Sequence, residues 1–512
     1  MSALDAALPG RVSRDPALCA SMAEDVAGPA PFPAVAVARP ETPAEVAAVI
    51  AAARAEGLAV VPRGGGMSYT GGYAPPRAGC VTLDLRGLTD GLEVDAEARV
   101  AVVPAGMTWA ALDAALAPRG LRARYLGPLS GVAATVGGAL SQNGAFFGSA
   151  SGGYAADGVL GLEVADGTGA LRRVGSWAAG REAALPWFGP GLVAPFLGDA
   201  GALGVKTRAV LRLVPRGEER YASFAFDEVG ALLAAQAGLG DVPGLAEVWA
   251  FDRETHRGLA RTGFSVLEAA SLASEVAGKA GIFGAARRLA EAATIRRAVL
   301  TDLAWSLHVV VETPAGLAGP LREAAAEVCR AAGGREIPDA ISRVTRAKPF
   351  RAIKALVGPE GERWLPCHGV LPAARAPGAV AALEHWRAGV AAEMEAEGVR
   401  LSLLLASVGG EIIVEPQLHW PDALSGFQRA NAQPAQVAAH DAAPARPAAR
   451  ALAHRLRGEM IGLLAGLGAG HLQIGRVYRY AADLEPGAMG VLRALKAELD
   501  PDGLLNPGAL GL

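Results

Sequence analysis

A short segment near the C-terminus combines side chains that can take up a proton and hold an anion. Residues 470–480 read GHLQIGRVYRY. Histidine ionises near neutral pH, so His471 is suited to remove a hydroxyl proton, although a core histidine bonded to a carbonyl would look the same in sequence. Arg476 or Tyr478 would hold a substrate carboxylate or a phenol oxygen. Read as a strand, the segment places His471, Gln473 and Gly475 on one face.

Two further segments carry candidate groups. Residues 362–369 read ERWLPCHG, and there Arg363 and His368 could reach a carboxylate, or could simply satisfy a polar turn. His419 follows the apolar run EIIVEP, where an exposed strand end explains it equally well. Each histidine is a candidate base and each arginine a candidate clamp for two carboxylate oxygens.

Three loops rich in glycine dominate the first half of the chain. The first, residues 62–72 (PRGGGMSYTGG), follows a short apolar run, and its consecutive amides could turn to one side and cradle a diphosphate. The second, residues 127–149, alternates small residues with hydroxyls, and the third, residues 198–205, precedes a strand. Neither a GxGxxG dinucleotide fingerprint nor a Walker lysine–serine pair is present.

The elements around these loops predict an α+β fold. Residues 41–57 (ETPAEVAAVIAAARAEG) have Thr42 as N-cap, Pro43 at the first helical position and Glu45 three residues after the cap, which predicts a capping box. Residues 160–174 predict two strands joined by an Asp-Gly turn. After Arg216, apolar strand runs alternate with helices, which predicts a mostly antiparallel sheet. Residues 431–450, rich in proline and alanine, predict a mobile loop.

The order and content of the three loops resemble the flavin-binding domain of the vanillyl-alcohol oxidase/p-cresol methylhydroxylase superfamily, also called FAD-linked oxidases. The chain end, residues 499–508 (LDPDGLLNPG), is similar to that superfamily's C-terminal signature. The resemblance implies a two-part flavin-binding domain over residues 1–217 with its core at 36–215. It also implies an α+β substrate-binding cap over 218–468 and a tail, 469–512, that returns to the flavin domain.

The resemblance further implies FAD as cofactor, and no metal is expected, because the sequence contains no Cys/His cluster. The first loop would bind the pyrophosphate, the second would line the ribityl chain and ring, and Pro104 would lie near the adenosine. Some members attach the flavin through a histidine in the first loop, where this chain has Met67, so we expect non-covalent FAD. The expected cofactor-binding residues are Arg63, Gly64, Gly65, Gly66, Met67, Ser68, Pro104, Gly127, Ser130, Thr135, Gly138, Ser141, Asn143, Gly148, Gly204, Val205 and Asn506.

For the substrate, the resemblance to the D-lactate dehydrogenase/glycolate oxidase D-subunit branch implies oxidation of a small 2-hydroxy acid. A base, preferably His471, would remove the hydroxyl proton while hydride moves to the flavin. That branch's histidine–glutamate–histidine cluster has no counterpart in this sequence. Oxidation of a para-substituted phenol, held by Arg476, Tyr478 and Tyr480, is the first alternative. A non-catalytic, flavin-carrying electron-transfer subunit is the second.

Composition excludes several other classes. With 51% hydrophobic residues and a net charge of −3, the chain has enough material for large cores and no basic field for nucleic acid. Its four cysteines are too widely spaced for a zinc site or a disulfide framework. No secretory signal or apolar span is evident, so a cytoplasmic location is expected. Residues 265–300 predict a helical insertion that is either solvated or in contact with a membrane surface. The electron acceptor would be a quinone, a cytochrome, another flavoprotein or oxygen.

Overall fold

The computed structural model describes residues 2–180, 185–261, 303–350 and 356–512. The insertion at 265–300, with its predicted helices and membrane contact, lies outside the described residues. Within the described ranges, no helix is both long enough and apolar enough to cross a membrane.

The first part of the chain begins with a four-stranded sheet in the order β1-β2-β4-β3, in which β2, β4 and β3 run parallel. Thr42 begins α3 by accepting the amide of Glu45 at 3.2 Å. The predicted capping box is wrong in its second half, because the Glu45 carboxylate bonds to Arg11 and to the amide of Glu41 instead. The elements are β1 (Val12–Ser13), β2 (Ala36–Ala38), β3 (Ala59–Arg63), β4 (Cys80–Asp84), α1 (Ala3–Ala7), α2 (Pro16–Ala23) and α3 (Pro43–Ala55).

A second, antiparallel sheet follows in the order β5-β6-β10-β8-β9, and β7 pairs with the far end of the long strand β10. The predicted Asp-Gly turn joins β8 to β9. The elements are β5 (Glu93–Asp95), β6 (Val100–Pro104), β7 (Leu121–Ala123), β8 (Val159–Ala165), β9 (Leu171–Gly175), β10 (Val205–Pro215), α4 (Trp109–Leu116), α5 (Val136–Gln142) and α6 (Ser149–Gly152).

An eight-stranded antiparallel sheet forms the second part, in the order β14-β11-β13-β12-β17-β18-β15 with β16 also on β18. Its strands are β11 (Glu218–Phe226), β12 (Leu245–Asp252), β13 (Trp305–Thr313), β14 (Arg335–Ile337), β15 (Glu362–Pro366), β16 (Gly369–Pro372), β17 (Arg400–Val408) and β18 (Glu411–Pro421). Its helices are α7 (Val229–Leu239), α8 (Arg253–Arg261), α9 (Ala318–Ala331), α10 (Ala340–Ala347), α11 (Ala376–Glu397), α12 (Gly426–Asn431), α13 (Pro434–His440) and α14 (Pro447–Gly466). The predicted loop at 431–450 is wrong over α13, whereas α14 begins at Pro447, where the sequence predicts a helix.

One face of this large sheet packs on its own helices and the other on the first part of the chain. On the second face, Trp249 of β12 packs against Phe146 of the second glycine loop, with ring centroids 6.2 Å apart. A buried ion-pair network lies beside them. Arg346 of α10 binds three carboxylates of the sheet, those of Glu219, Glu247 and Glu312. Although burial opposes it, Glu247 and its two neighbours raise the pKa of Arg346.

The tail returns to the first sheet. It contains α15 (Tyr480–Asp483) and α16 (Pro486–Leu499), and it then runs alongside β3. The amide of Val60 donates to Leu504 O, and the amide of Asn506 donates to Val60 O, both at 2.8 Å. The end of the chain therefore lies next to the first glycine loop, which begins where β3 ends.

Candidate active site

The first glycine loop lies directly on the second. A Cβ atom added to Gly64 would lie 2.3 Å from Thr135 Oγ1, and one added to Gly65 would lie 1.9 Å from Ala133 O. A larger residue at Gly65 would require backbone to move, and one at Gly64 would displace the Thr135 hydroxyl. Close approach of two backbones is a structural reason for these glycines that holds with or without a ligand.

The same loop leaves donors available. The amides of residues 65–68, which include Met67 and Ser68, donate to no acceptor within the part of the chain that the structure describes. Beneath them lies Arg63, which is buried and has a buried, unpaired Nε. Burial lowers the pKa of Arg63, as expected for a guanidinium with no carboxylate against it. Adjacent amides above a buried cation fit the two phosphates of a dinucleotide.

The second loop surrounds helix α5. Pro104 ends β6 beside the start of this helix, where Thr135 is the N-cap and accepts the amide of Gly138 at 3.2 Å. The hydroxyl of Ser141 donates to Gly137 O at 2.8 Å. The hydroxyls predicted to contact the cofactor are thus bonded within the helix, and they bring its first turn against the first loop.

The flanks of α5 are also held by protein contacts. Before the helix, Gly127 forms a bridge with Phe147, and the carbonyl of buried Ser130 accepts two amides. Asn143 ends the helix in the left-handed region at φ 49°. Gly148, with φ 79°, donates its amide to Glu247 of the large sheet at 2.7 Å.

The third loop enters β10. Gly204 lies close to Val164, since an added Cβ would be 3.1 Å from the Val164 Cβ. The side chain of Val205 lies in the core of the first sheet. The amide of Ala200 donates to Ser141 O, so the second and third loops lie side by side.

Asn506 links the first glycine loop, the third glycine loop and the segment that contains Arg476. Its Nδ2 donates to Gly72 O at 2.9 Å and to Ala200 O at 2.6 Å, and its Oδ1 accepts from Arg476 at 2.5 Å. Arg476 also donates to Gly71 O and to Pro507 O. Burial lowers the pKa of Arg476 to about 10. The structure therefore places Arg476 at the flavin loops, with its guanidinium bonded to backbone and to Asn506.

Residues 470–479 do not form the predicted strand. Gln473 and Gly475 have φ near 50°, which ends any extended run. The amide of Gln473 donates to Gln142 O and that of Arg476 to Thr70 O, so both flavin loops hold the segment in turns. Gly475 is required there, because an added Cβ would lie 2.3 Å from Thr70 O.

The turns bring His471 and Tyr478 against His368. The rings of His471 and Tyr478 stack with centroids 4.4 Å apart. His368 lies between β15 and β16, and both its amide and its Nδ1 bond to the Tyr478 hydroxyl, at 2.9 and 3.0 Å. Three of the five predicted catalytic residues thus meet, from segments more than 100 positions apart.

Hydrogen bonding fixes the protonation of this cluster. Nε2 of His368 accepts the amide of Leu472 at 2.8 Å, so the ring hydrogen is on Nδ1 and points to the Tyr478 oxygen. Nδ1 of His471 lies 2.7 Å from His368 O, so it carries the hydrogen and leaves Nε2 as an acceptor. That Nε2 is buried and has no partner within the described residues. Burial lowers the pKa of His471, and lowers that of His368 to about 3.

The fifth predicted residue, Arg363, lies elsewhere. It is in β15, and its guanidinium donates to Asp422 O at 2.6 Å. Burial lowers its pKa to about 10. Sequence reasoning missed Arg457 of α14, a buried arginine that donates to Tyr69 O in the first loop at 2.7 Å and acts electrostatically on His368 and Tyr478. A lone arginine on an apolar helix face was the available signal.

Sequence reasoning also missed Glu415 of β18. Its carboxylate accepts from Gln417 at 2.6 Å, and burial raises its pKa to about 7. Its strand neighbour Leu404 packs against the same hydrophobic cluster as Leu472, so Glu415 lies on the same side of the sheet as the histidine–tyrosine cluster. No group of three or more histidine, cysteine or acidic side chains among the described residues is arranged to hold a metal ion.

Known proteins resemble this chain mainly in the flavin-binding part. Residues 34–175 match the FAD binding domain family. An uncharacterized FAD-linked oxidoreductase of Mycobacterium tuberculosis is 35% identical over 229 residues, or 44% of this chain and 48% of the relative. The glycolate oxidase subunit GlcD of Bacillus subtilis is 30% identical over 38% of this chain and 40% of its own length. The D-lactate dehydrogenase of Archaeoglobus fulgidus is 34% identical over 35% and 39%. The chain thus spans about half the length of these curated relatives, or less.

Solved structures resemble the whole chain in fold. The 4-ethylphenol oxidase of Gulosibacter chungangensis has a TM-score of 0.69 at 17% identity, covering 99% of this chain and 95% of that one. A p-cresol methylhydroxylase with bound substrate has the same TM-score and coverage at 15% identity. The predicted α+β class, with a two-part flavin-binding domain, is confirmed, as is FAD as the cofactor of this domain. The whole chain therefore shares the fold of these two proteins, and residues 34–175 match a FAD binding domain.

Proposed function

We propose that the protein is a FAD-dependent oxidoreductase that oxidises the CH–OH group of a small 2-hydroxy acid. The observation that carries the proposal is the Nε2 atom of His471, a buried acceptor without a protein partner. Flavin supplies the hydride acceptor, so the chain itself must orient the substrate and take one proton. The names of two relatives, a glycolate oxidase subunit and a D-lactate dehydrogenase, support this substrate class.

The roles follow from the bonding. His471 accepts the hydroxyl proton at Nε2, while the His368 carbonyl holds its Nδ1–H in place. The Tyr478 oxygen accepts two hydrogen bonds from His368, so its own hydrogen is free to be donated to a substrate oxygen. His368 is therefore a positioning residue for both neighbours.

A 2-hydroxy acid also needs a cation for its carboxylate. Arg476 is bonded to the flavin loops and Arg363 to Asp422 O, and each keeps one buried nitrogen without a partner in the described ranges, but neither acts on His368 or Tyr478. Arg457 acts on His368 and Tyr478, and its Nε is buried without a partner in the described ranges. We assign the carboxylate to Arg457.

The phenol alternative relied on Arg476, Tyr478 and Tyr480 acting together. Arg476 bonds to Asn506, Tyr478 bonds to His368, and Tyr480 packs near Ala200 and Leu510 in the tail. Because the three side chains have separate partners, they do not converge on one phenolate oxygen, which favours the hydroxy acid as substrate.

We also propose that the FAD is bound without a covalent link. Met67 packs beside Val26, Leu356 and Phe427, and residues 62–72 contain no histidine. Acid precipitation of the purified protein should release all of the yellow colour into the supernatant. Colour that stays with the chain contradicts this part of the proposal.

The substrate class is tested by anaerobic mixing of the FAD-loaded protein with D-lactate, glycolate or 4-alkylphenols. Bleaching of the flavin by the hydroxy acids alone is expected. Bleaching by the phenols alone would instead support the phenol alternative, and no bleaching by either class would support the non-catalytic carrier. An electron acceptor is then found by following recolouring with oxygen, a quinone, a cytochrome or a flavoprotein.

A further inference from the structure

The polar side chains of β18 lie on the face of the large sheet that is turned to the first glycine loop. From Val414 to Pro421, buried and partly accessible residues alternate strictly along the strand. The accessible positions are Glu415, Gln417 and His419. On this face Leu404 lies opposite Glu415, and Trp364 opposite His419.

The first loop contacts this face of the sheet through Tyr69. The ring of Tyr69 meets Trp364 edge to face, with centroids 5.5 Å apart. Its hydroxyl accepts from Gln473 at 3.1 Å. Leu404, which lies opposite Glu415, packs against the same hydrophobic cluster as Leu472, the neighbour of His471, so the row on β18 and the histidine–tyrosine cluster lie on the same side of the sheet.

Glu415 differs from the other acidic groups of this sheet. Glu247 and Glu312 are neutralised by Arg346, and Glu362 is neutralised by Arg400. Glu415 has only the neutral amide of Gln417 and makes no ion pair within the described residues. A carboxylate left without a cation in a mostly protein-lined space is costly, and it favours a ligand that donates to it.

We propose that Glu415 determines specificity by binding a hydrogen-bond donor, a hydroxyl or an ammonium, at the end of the substrate away from the oxidised carbon. The assignment rests on the proposed function. It narrows the substrate class to 2-hydroxy acids with a second polar group, such as 2,3-dihydroxy or 3-amino-2-hydroxy acids. A site built to pair with a donor rejects the alkyl analogue, because the bound substrate would cover the carboxylate and leave it unpaired.

The test compares D-2-hydroxy acids of three and four carbons whose last carbon ends as methyl, hydroxymethyl or aminomethyl. Anaerobic flavin bleaching gives kcat/KM for each acid. The wild type should prefer a donor-bearing acid over its alkyl analogue by roughly 10- to 100-fold, the range expected for a hydrogen bond to a charged group. A higher value for the hydroxyl or for the amine identifies which donor binds.

Glu415→Leu should reduce that preference to about onefold, and Glu415→Gln should keep part of it for the hydroxyl. Glu411→Gln, a carboxylate at the hairpin end of the same strand, is the matched control and should keep the wild-type preference. The melting temperature gives a readout that does not depend on activity. It should rise in Glu415→Leu, because a ligand-binding carboxylate costs the free protein stability.

Equal kcat/KM for donor-bearing and alkyl acids in the wild type would overturn this assignment alone. A melting temperature that falls in both Glu415 variants would also overturn it, since Glu415 would then be a structural residue. If no acid in the series bleaches the flavin, the proposed function itself fails and this assignment fails with it.

Discussion

His471→Asn separates the two roles of this histidine. The asparagine amide can still donate to His368 O, as Nδ1 does at 2.7 Å, but nothing replaces the acceptor at Nε2. Loss of a positioned general base costs about 10²- to 10⁴-fold in rate, or about 3–5 kcal/mol of transition-state stabilisation. Loss of the stacking on Tyr478 costs stability of about 1 kcal/mol, and it does not affect the rate directly.

The assay is anaerobic stopped-flow reduction of the FAD-loaded protein by the best hydroxy acid. The pKa of His471 is lowered by burial, so its neutral, proton-accepting form predominates above pH 6.5. In the wild type, kcat/KM should therefore rise with pH up to a pKa below 6.5 and then stay level. In His471→Asn that step should disappear along with the fast rate.

His308→Gln is the matched control. This histidine is also buried, but its two ring nitrogens already bond to the hydroxyls of Ser223 and Ser306, both at 2.9 Å, so neither is available as a base. A reduction rate within about tenfold of the wild type is expected for it. If His471→Asn, with a full complement of FAD, is reduced at the normal rate, the reasoning from the unpaired Nε2 is refuted.

Three other perturbations address the flavin loops and the large sheet. Gly65→Ala should abolish FAD retention during gel filtration, because the new Cβ would lie 1.9 Å from Ala133 O. Arg346→Met should lower the free energy of unfolding in urea by about 3–5 kcal/mol, since Glu247 and its neighbours would lose their buried cation. The free energy of unfolding should fall as the pH drops below 6.5. Burial lowers the pKa of His308 to about 3 in the folded protein, so only the unfolded chain takes up a proton there in this pH range. His308→Gln should therefore flatten the pH dependence.

Each of these has a control within the chain. Gly230→Ala introduces a methyl group with no atom within 4 Å and should leave FAD bound. Arg455→Met removes an exposed ion pair and should change the unfolding free energy by less than about 1 kcal/mol. Loss of FAD in Gly230→Ala, or an unchanged urea midpoint in Arg346→Met, would contradict the packing and charge arguments respectively.

Local patterns predicted the sheets well because a strand's alternation depends on its own residues. The apolar runs of β11, β12, β13, β17 and β18 were visible in sequence, and the glycine loops indicated a FAD-binding domain. The same alternation could have revealed Glu415, since polar residues at 415, 417 and 419 are separated by buried ones. That row was read only at its last member, His419.

What sequence could not give is pairing over long distances. His368 and Tyr478 are 110 positions apart, and neither has a neighbour that points to the other. The segment 470–479 was read as a strand because its side chains alternate. Its backbone instead follows Thr70 and Gln142, which force turns at Gln473 and Gly475. An arginine's target is equally invisible locally, and so Arg476 was expected at the substrate.

The amide of Asn506 joins Gly72 and Ala200, loops that are synthesised some 300 to 430 residues before it. During translation, the link between these two loops therefore cannot form until Asn506 has left the ribosome. Retention of FAD should therefore depend on synthesis as far as Asn506, because a chain that stops before it lacks the hydrogen bonds that join the two loops. Such chains should be colourless after purification. The fraction of molecules that carry FAD should then equal the fraction that extends as far as Asn506.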